Sequence, residues 1–137
     1  MYALDVECFE PVFRFSHAAM HRFHLASNSV TVIAETPLGE MAGFVIVSLH
    51  RKREHLGYVV TLDVRPQYRR AGIAAKLMDA AEERVRDDGA EAAVLHCHSE
   101  NVPALAFYGK LNYQIVERVA DFYGEGLDAL LLTKQLR

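Results

Sequence analysis

The stretch Pro66-Gln67-Tyr68-Arg69-Arg70-Ala71-Gly72-Ile73-Ala74 sets two arginines and a glycine in a proline-led turn, directly before an apolar helical pattern. A helix start offers unpaired backbone N–H groups and the positive end of a dipole, so a short basic loop in front of it suits an anion. The plainer reading is a helix that merely begins with glycine and basic residues. A second cluster, His96-Cys97-His98, raises metal binding. Two strand histidines on one face could share an ion, but three or more ligands are needed and a third is not evident, so no metal is expected. Cys97 ends the apolar run from Ala92 and reads as a small core residue. That setting argues against a low-pKa thiolate and hence against a covalent cysteine mechanism. With Cys8 it makes neither a metal spacing nor a disulfide framework.

These residues need elements to hold them. Residues 2–10 and 16–26 read as helices, the second capped by Ser16, with an unusually apolar loop, Glu10 to Phe15, between them. Residues 29–35 alternate as a strand, 37–40 turn, and 42–50 return as a second strand. Residues 56–64, rich in β-branched side chains and tyrosine, form a third. A helix from about Gly72 to Asp88 repeats Ile73, Leu77, Ala81 and Val85 every four residues, with Ala74 and Met78 beside them, and Gly89 ends it. A strand over 91–97 then implies a parallel crossover from 56–64. Asn101 caps a shorter helix, 102–111, with Pro103 tolerated in its first turn and Asn112 placed as a left-handed C-cap. Strands over 113–119 and 127–136 flank the loop 120–126.

Composition bounds the answer. The 137 residues suit one α/β domain, 1–137, with no repeat or linker, and about half of them are apolar and a quarter charged. A formal charge of −3 argues against bulk attraction to nucleic acid or a membrane surface. The basic cluster Arg51-Lys52-Arg53 is by default a solvated face. No run approaches transmembrane length and no signal peptide is visible, so a cytoplasmic protein is the expectation.

The element order, with Arg69-Arg70-Ala71-Gly72-Ile73-Ala74 opening the long helix, resembles the GNAT acyltransferase superfamily over nearly the whole chain. The loop matches its (Gln/Arg)-x-x-Gly-x-(Gly/Ala) pattern. Asn101-x-x-Ala104-x-x-Phe107-Tyr108 and Leu111-Asn112-Tyr113 resemble its Asn-x-x-Ala-x-x-Leu-Tyr and terminal Gly-Phe. Asn for Gly is a mild change, since both tolerate positive φ. Within the superfamily, Tyr58-Val59-Val60-Thr61-Leu62 and Leu95-His96 look like the protein N-terminal acetyltransferases, especially those with a catalytic tyrosine and histidine on the two central strands. Phe122-Tyr123 resembles their paired aromatics over the substrate peptide. In the bacterial ribosomal-protein alanine acetyltransferases a glutamate is usual where His96 stands.

The resemblance implies a GNAT fold: a mixed central β-sheet flanked by helices. It implies acetyl-CoA as co-substrate, its pyrophosphate held by Arg69, Arg70, Ala71, Gly72, Ile73 and Ala74, where a Cβ on Gly72 would meet a phosphate. Backbone of Leu62, Asp63 and Val64 would polarise the thioester carbonyl where the two central strands splay, with Asn101 and Tyr108 beside the cofactor. An α-amine with a pKa near 8 needs only modest help to lose its proton, and His96, near 6.5, can take it directly or through water. Tyr58 would orient that water or the amine, and Tyr108 would be the general acid at sulfur. Direct attack needs no acyl-enzyme, and alignment supplies much of the rate. Phe9, Pro11, Val12 and Phe13 would face Phe122 and Tyr123 across the substrate.

The expected acceptor is the α-amine of a protein or peptide N-terminus. A small amine (polyamine, amino acid or aminoglycoside) is the alternative, and a catalytically silent acyl-CoA-binding module is the third reading. The family ordinarily has a strand before the first helix, whereas Met1 falls almost at that helix. Either the true start lies upstream, or that first strand is lacking and residues 29–35 form an exposed edge that favours a homodimer.

Overall fold

The computed structural model describes residues 28–50, 55–69 and 71–137. The helices expected over 2–10 and 16–26, the wall of Phe9, Pro11, Val12 and Phe13, the question of a first strand, the 51–53 cluster and Arg70 all lie outside the described residues.

Six strands form one sheet: β1 (Ser29–Glu35), β2 (Met41–His50), β3 (Leu56–Val64), β4 (Ala92–His98), β5 (Gln114–Val119) and β6 (Ala129–Gln135). Their spatial order is β1-β2-β3-β4-β6-β5. Only β3 and β4 run parallel, and the other neighbours are antiparallel. The parallel pair is joined through a 3-10 turn (Pro66–Tyr68) and the helix α1 (Ile73–Asp87), as the crossover expectation required. A shorter helix, α2 (Val102–Lys110), follows β4. This is the expected mixed α/β sheet with helices, and the element bounds differ from the sequence reading by one or two residues. The finding that pattern did not supply is the position of β6, which inserts between β4 and β5.

The core lies where α1 packs on β1, β2 and β3. Val45, Val47 and Val59 from the sheet meet Leu77, Met78, Ala81 and Val85 from the helix, joined by Leu95 and Leu132. The i, i+4 spacing of Leu77, Ala81 and Val85 is what presents one apolar stripe to the sheet. Ile73 and Ala74, at the open end of that stripe, are only half-buried. Gly89 stops α1 at φ +105°, and two bonds close its end: Ala90 N–H to Val85 O at 2.8 Å and Gly89 N–H to Arg86 O at 3.0 Å.

Glu82 interrupts the apolar stripe, yet is buried. Its carboxylate accepts from Lys134 Nζ at 2.6 Å and from Tyr113 O–H at 2.8 Å. Burial and that acid push the Tyr113 phenol well above its usual range, so it remains a donor.

Gly43 marks a close approach of β2 to β3. A Cβ there would lie 2.7 Å from the Asp63 carbonyl oxygen and 3.2 Å from side-chain carbons of Leu77 and Val64. Gly43→Ala is expected to cost about 1–3 kcal/mol of stability, the usual penalty of overpacking. The check is a lower denaturation midpoint at unchanged slope; an unaltered midpoint would mean that the strand pair shifts freely.

Candidate active site

β3 and β4 are in register only over Leu56–Ala92, Gly57–Ala93 and Tyr58–Val94. Both strands run on, to Val64 and His98, without further pairing to each other. The cause lies on the other side of β3. The β2–β3 register jumps from Val47↔Val59 to Ile46↔Thr61, which leaves Val60 as an extra residue. Such a bulge bends its strand and raises the local twist, and this one begins immediately beyond the last pair with β4. The central strands therefore splay, as the resemblance implied.

Backbone groups alternate along a strand, and Arg65 N–H donates to Ala42 O of β2 at 2.9 Å. The N–H groups of Leu62 and Val64 accordingly point into the splay, while that of Asp63 points to β2. The Val64 carbonyl accepts from Arg69 Nε at 3.0 Å, which ties the basic loop to the end of β3. Asp63 itself is buried, and its Oδ1 accepts from Thr61 Oγ1 at 2.5 Å. Arg65, by contrast, is engaged locally, donating to Met41 O at 2.7 Å.

At the foot of the splay, Gly72 has φ +79° and precedes the first turn of α1. Among the described residues no side chain caps that turn, and no acidic residue stands in it. Its leading N–H groups and dipole are thus left for something else. A Cβ on Gly72 would meet no atom of the described residues within 4 Å beyond its chain neighbours, and Ala71 and Gly72 are both exposed. Open space before an uncapped helix start fits a phosphate group. The left-handed φ explains glycine at this position better than protein packing does.

On the face of the split, Tyr58 Oη and His96 Nδ1 are 2.6 Å apart. Tyr58 leaves β3 at its last paired residue and His96 leaves β4 two residues beyond Val94, so the two side chains share one face of the sheet. Phe122 stacks on the imidazole, ring centroids 4.1 Å apart and planes at 16°. Tyr123 meets His98 edge-on at 6.0 Å, and His50 meets Tyr58 edge-on at 6.5 Å. Burial lowers the His96 pKa below the ordinary imidazole value, opposed by the negative charge of Glu117. Burial raises that of Tyr58, so the phenol keeps its proton at neutral pH.

The pair admits two proton arrangements. If Tyr58 donates to Nδ1, then Nε2 of a neutral imidazole carries the proton. If Nδ1–H donates to Tyr58 Oη, then Nε2 holds a free lone pair and can act as a base.

Phe122 and Tyr123 are held by a tied loop. Asp128 accepts from Arg118 Nε at 2.9 Å and from Asp121 N–H at 3.0 Å, and Asp121 accepts from Gly126 N–H at 2.7 Å. The Asp121 N–H bond, and then Arg118, hold the Asp128 carboxyl below its usual range.

Tyr108 approaches from α2. Asn101 caps this helix by accepting from Ala104 N–H at 3.2 Å, which gives its side chain a structural task whatever else it touches. The far end closes with Asn112 at φ +74°, Tyr113 N–H to Tyr108 O at 3.0 Å and Asn112 N–H to Gly109 O at 3.1 Å. That motif brings Tyr113 back onto Tyr108, rings 5.6 Å apart, with Phe107 on another side at 5.1 Å. Burial, then the neighbouring Cys97, Asp63 and Tyr123, push the Tyr108 phenol far above its usual range. Cys97, buried, is raised to about 11 and remains a thiol at neutral pH.

The structure thus brings Tyr58, His96, Phe122 and Tyr123 together on one face, and Leu62, Asp63, Val64, Arg69, Ala71, Gly72, Ile73 and Ala74 along the splay and its foot. Sequence pattern missed the stacking of Phe122 on His96, the ring of His50 beside Tyr58, and Glu117. No periodicity could reveal them, because each contact crosses strands or a loop.

A mixed sheet split between its two central strands, with a glycine-led helix start after the first of them, is the arrangement that the resemblance to the GNAT acyltransferases implied. The model of the Acetyltransferase (GNAT) family matches residues 1–113. The chain belongs to the GNAT acetyltransferase family, whose members use acetyl-CoA. An N-alpha-acetyltransferase of Saccharolobus solfataricus is 38% identical over 81 residues, 58% of this chain and 48% of that protein. The match therefore spans about half the length of that relative. An N-alpha-acetyltransferase of Caenorhabditis elegans is 30% identical over 134 residues, 95% of this chain and 70% of that protein. Among solved structures, Ard1 from Thermoplasma volcanium superposes with a TM-score of 0.86 at 19% identity, covering 98% of this chain and 88% of that one, a likeness of fold. Among the described residues, no helix is long and apolar enough to cross a membrane, and no group of three or more His, Cys, Asp or Glu could hold a metal.

Proposed function

We propose that this chain is an acetyl-CoA-dependent N-acetyltransferase, working as one domain over 1–137, whose acceptor is the α-amine of a peptide or protein N-terminus. The observation that carries this reading is the Tyr58–His96 contact of 2.6 Å on the face of the split sheet opposite α1. Two relatives named N-alpha-acetyltransferase support the choice of acceptor.

In this reading the N–H groups of Ala71, Ile73 and Ala74, with Gly72 presenting bare backbone and Arg69 and Arg70 supplying charge, hold the pyrophosphate. The N–H groups of Leu62 and Val64, turned into the splay, bind the thioester end and polarise its carbonyl. Asn101 and Tyr108 flank the cofactor from α2. His96 Nε2 removes the proton of the α-amine, while Tyr58 holds Nδ1–H and fixes the productive tautomer. The amine nitrogen bonds to the carbonyl carbon, the carbon–sulfur bond breaks, and Tyr108 offers its O–H to the departing sulfur. Its raised pKa makes Tyr108 a hydrogen-bond donor that steadies the departing thiolate, which then takes its proton from solvent. Phe122 and Tyr123, with Phe9, Pro11, Val12 and Phe13 opposite, enclose the first residues of the peptide.

The test is release of CoA thiol from acetyl-CoA with short peptides and small amines offered side by side. Peptide-dependent release supports the proposal. Release with polyamines, amino acids or aminoglycosides alone replaces the acceptor. CoA binding with no release from any acceptor favours a silent acyl-CoA-binding module.

A further inference from the structure

Glu117 belongs to no motif of the sequence, yet the sheet carries it to the site. β6 pairs Leu131 with His96 of β4 on one side and with Glu117 of β5 on the other. Residues paired across strands point to the same face. His96, Leu131 and Glu117 therefore form one row on the face opposite α1, two strand spacings or about 10 Å apart between the outer Cα atoms. The register depends on an irregularity: β5 jumps between Ile115 and Glu117, leaving Val116 as the extra residue. Without that bulge Glu117 would fall on the opposite face.

From these registers we propose that Glu117 is a positioning residue of the transfer reaction, whose carboxylate stabilises the imidazolium that His96 becomes when it takes the amine proton. This inference rests on the proposed function. The neighbouring described elements bring Tyr58 on β3 with His50 beside it, His98 on the same strand, and the loop 120–126, whose Phe122 stacks on His96, whose Tyr123 meets His98 and which carries Asp121. Of these, Tyr58 is neutral and the second and third rings are histidines, which carry no negative charge. Asp121 is engaged with Gly126 N–H. The row partner Leu131 is apolar, Arg118 is tied to Asp128, and Lys134 is tied to Glu82. Among the described residues, Glu117, exposed on β5, is the acid whose charge opposes the effect of burial on the imidazole. Phe122 stacked on the ring excludes water from one of its faces, so the field of Glu117 is less screened there than between two fully exposed charges.

The sign follows directly. A carboxylate near the base raises its pKa, so Glu117→Gln lowers it. The midpoint of His96 in an NMR titration, assigned with His96→Ala, is expected to fall in E117Q, and the acid limb of kcat to move to lower pH with it. The plateau of kcat is expected to drop about two- to fivefold, because a weaker base is less well matched to the amine. Glu117→Asp should restore part of both effects, and high salt should shrink the difference between wild type and E117Q. Equal His96 midpoints in wild type and E117Q would overturn the coupling. A shifted midpoint with an unmoved limb and plateau would overturn its use in the reaction. If no amine is acetylated by wild type, the functional reading fails with this role, while the titration still decides the coupling on its own.

Discussion

Replacing His96 with alanine is expected to lower kcat/KM for a peptide acceptor by about 10²–10³-fold, the range of a lost general base, with the affinity for acetyl-CoA unchanged. The affinity should hold because the ring contacts Tyr58 and Phe122, on the face opposite α1, and not the glycine-led helix start. The size of the loss should depend on pH. An α-amine has a pKa of about 7.7–8.0, so the fraction already deprotonated in solution rises steeply above neutrality. The deficit of H96A is therefore expected to narrow as pH rises from 7 towards 9. In wild type, burial sets the imidazole below its ordinary 6.5, so His96 is neutral and competent throughout the neutral range. Rate should fall only on acidification beneath that value, as the base becomes protonated. Steady-state rates for both proteins across pH 5.5–9 check the point. A loss under about fivefold at pH 7 would take His96 out of the proton transfer.

The second large effect concerns Gly72. Asn and Asp both tolerate the left-handed backbone that this position requires, so Gly72→Asn and Gly72→Asp should fold alike, each costing up to about 1–2 kcal/mol of stability. They differ in charge. A carboxylate a few ångströms from a pyrophosphate faces repulsion of about 4 kcal/mol per charge pair at 4 Å in the intermediate dielectric of a protein surface. Solvent and salt reduce this, leaving an expected weakening of acetyl-CoA binding of about a hundredfold or more for G72D. For G72N, where only side-chain bulk intrudes, about tenfold is expected, on the scale of a single steric mismatch. Isothermal titration with CoA separates the two, and added salt should close part of the gap between them. Equal affinities for wild type and G72D would place the pyrophosphate elsewhere.

Much of the architecture was legible in the chain itself. The four-residue repeat through Ile73, Leu77, Ala81 and Val85 marks the long helix, and Gly89 and Asn112 mark helix ends, because each is a local steric requirement. The strand over 56–64 is legible from its β-branched content. Glu82 was not legible, since a charged residue inside an apolar stripe gives no sign that Lys134 and Tyr113 will meet it. Tyr108 was named by motif, but its setting between Phe107 and Tyr113 arises only when the helix C-terminal motif folds the chain back.

Over the described residues, the sequence by itself determined the order of helices and strands, the parallel crossover, the glycine before the long helix, and the residue types available for acetyl transfer. All of these rest on short-range sterics, periodicity and capping, which a few neighbouring residues decide. Tertiary structure alone decided that β6 enters between β4 and β5, and that an extra residue at Val60 bends β3 away from β4. It also decided that Tyr58 and His96, far apart in the chain, meet at 2.6 Å, with Phe122 stacked on the imidazole and Glu117 in the row of His96. Strand neighbours and register are chosen by the packing of whole faces against one another, so a contact between strands exists only once the sheet is assembled.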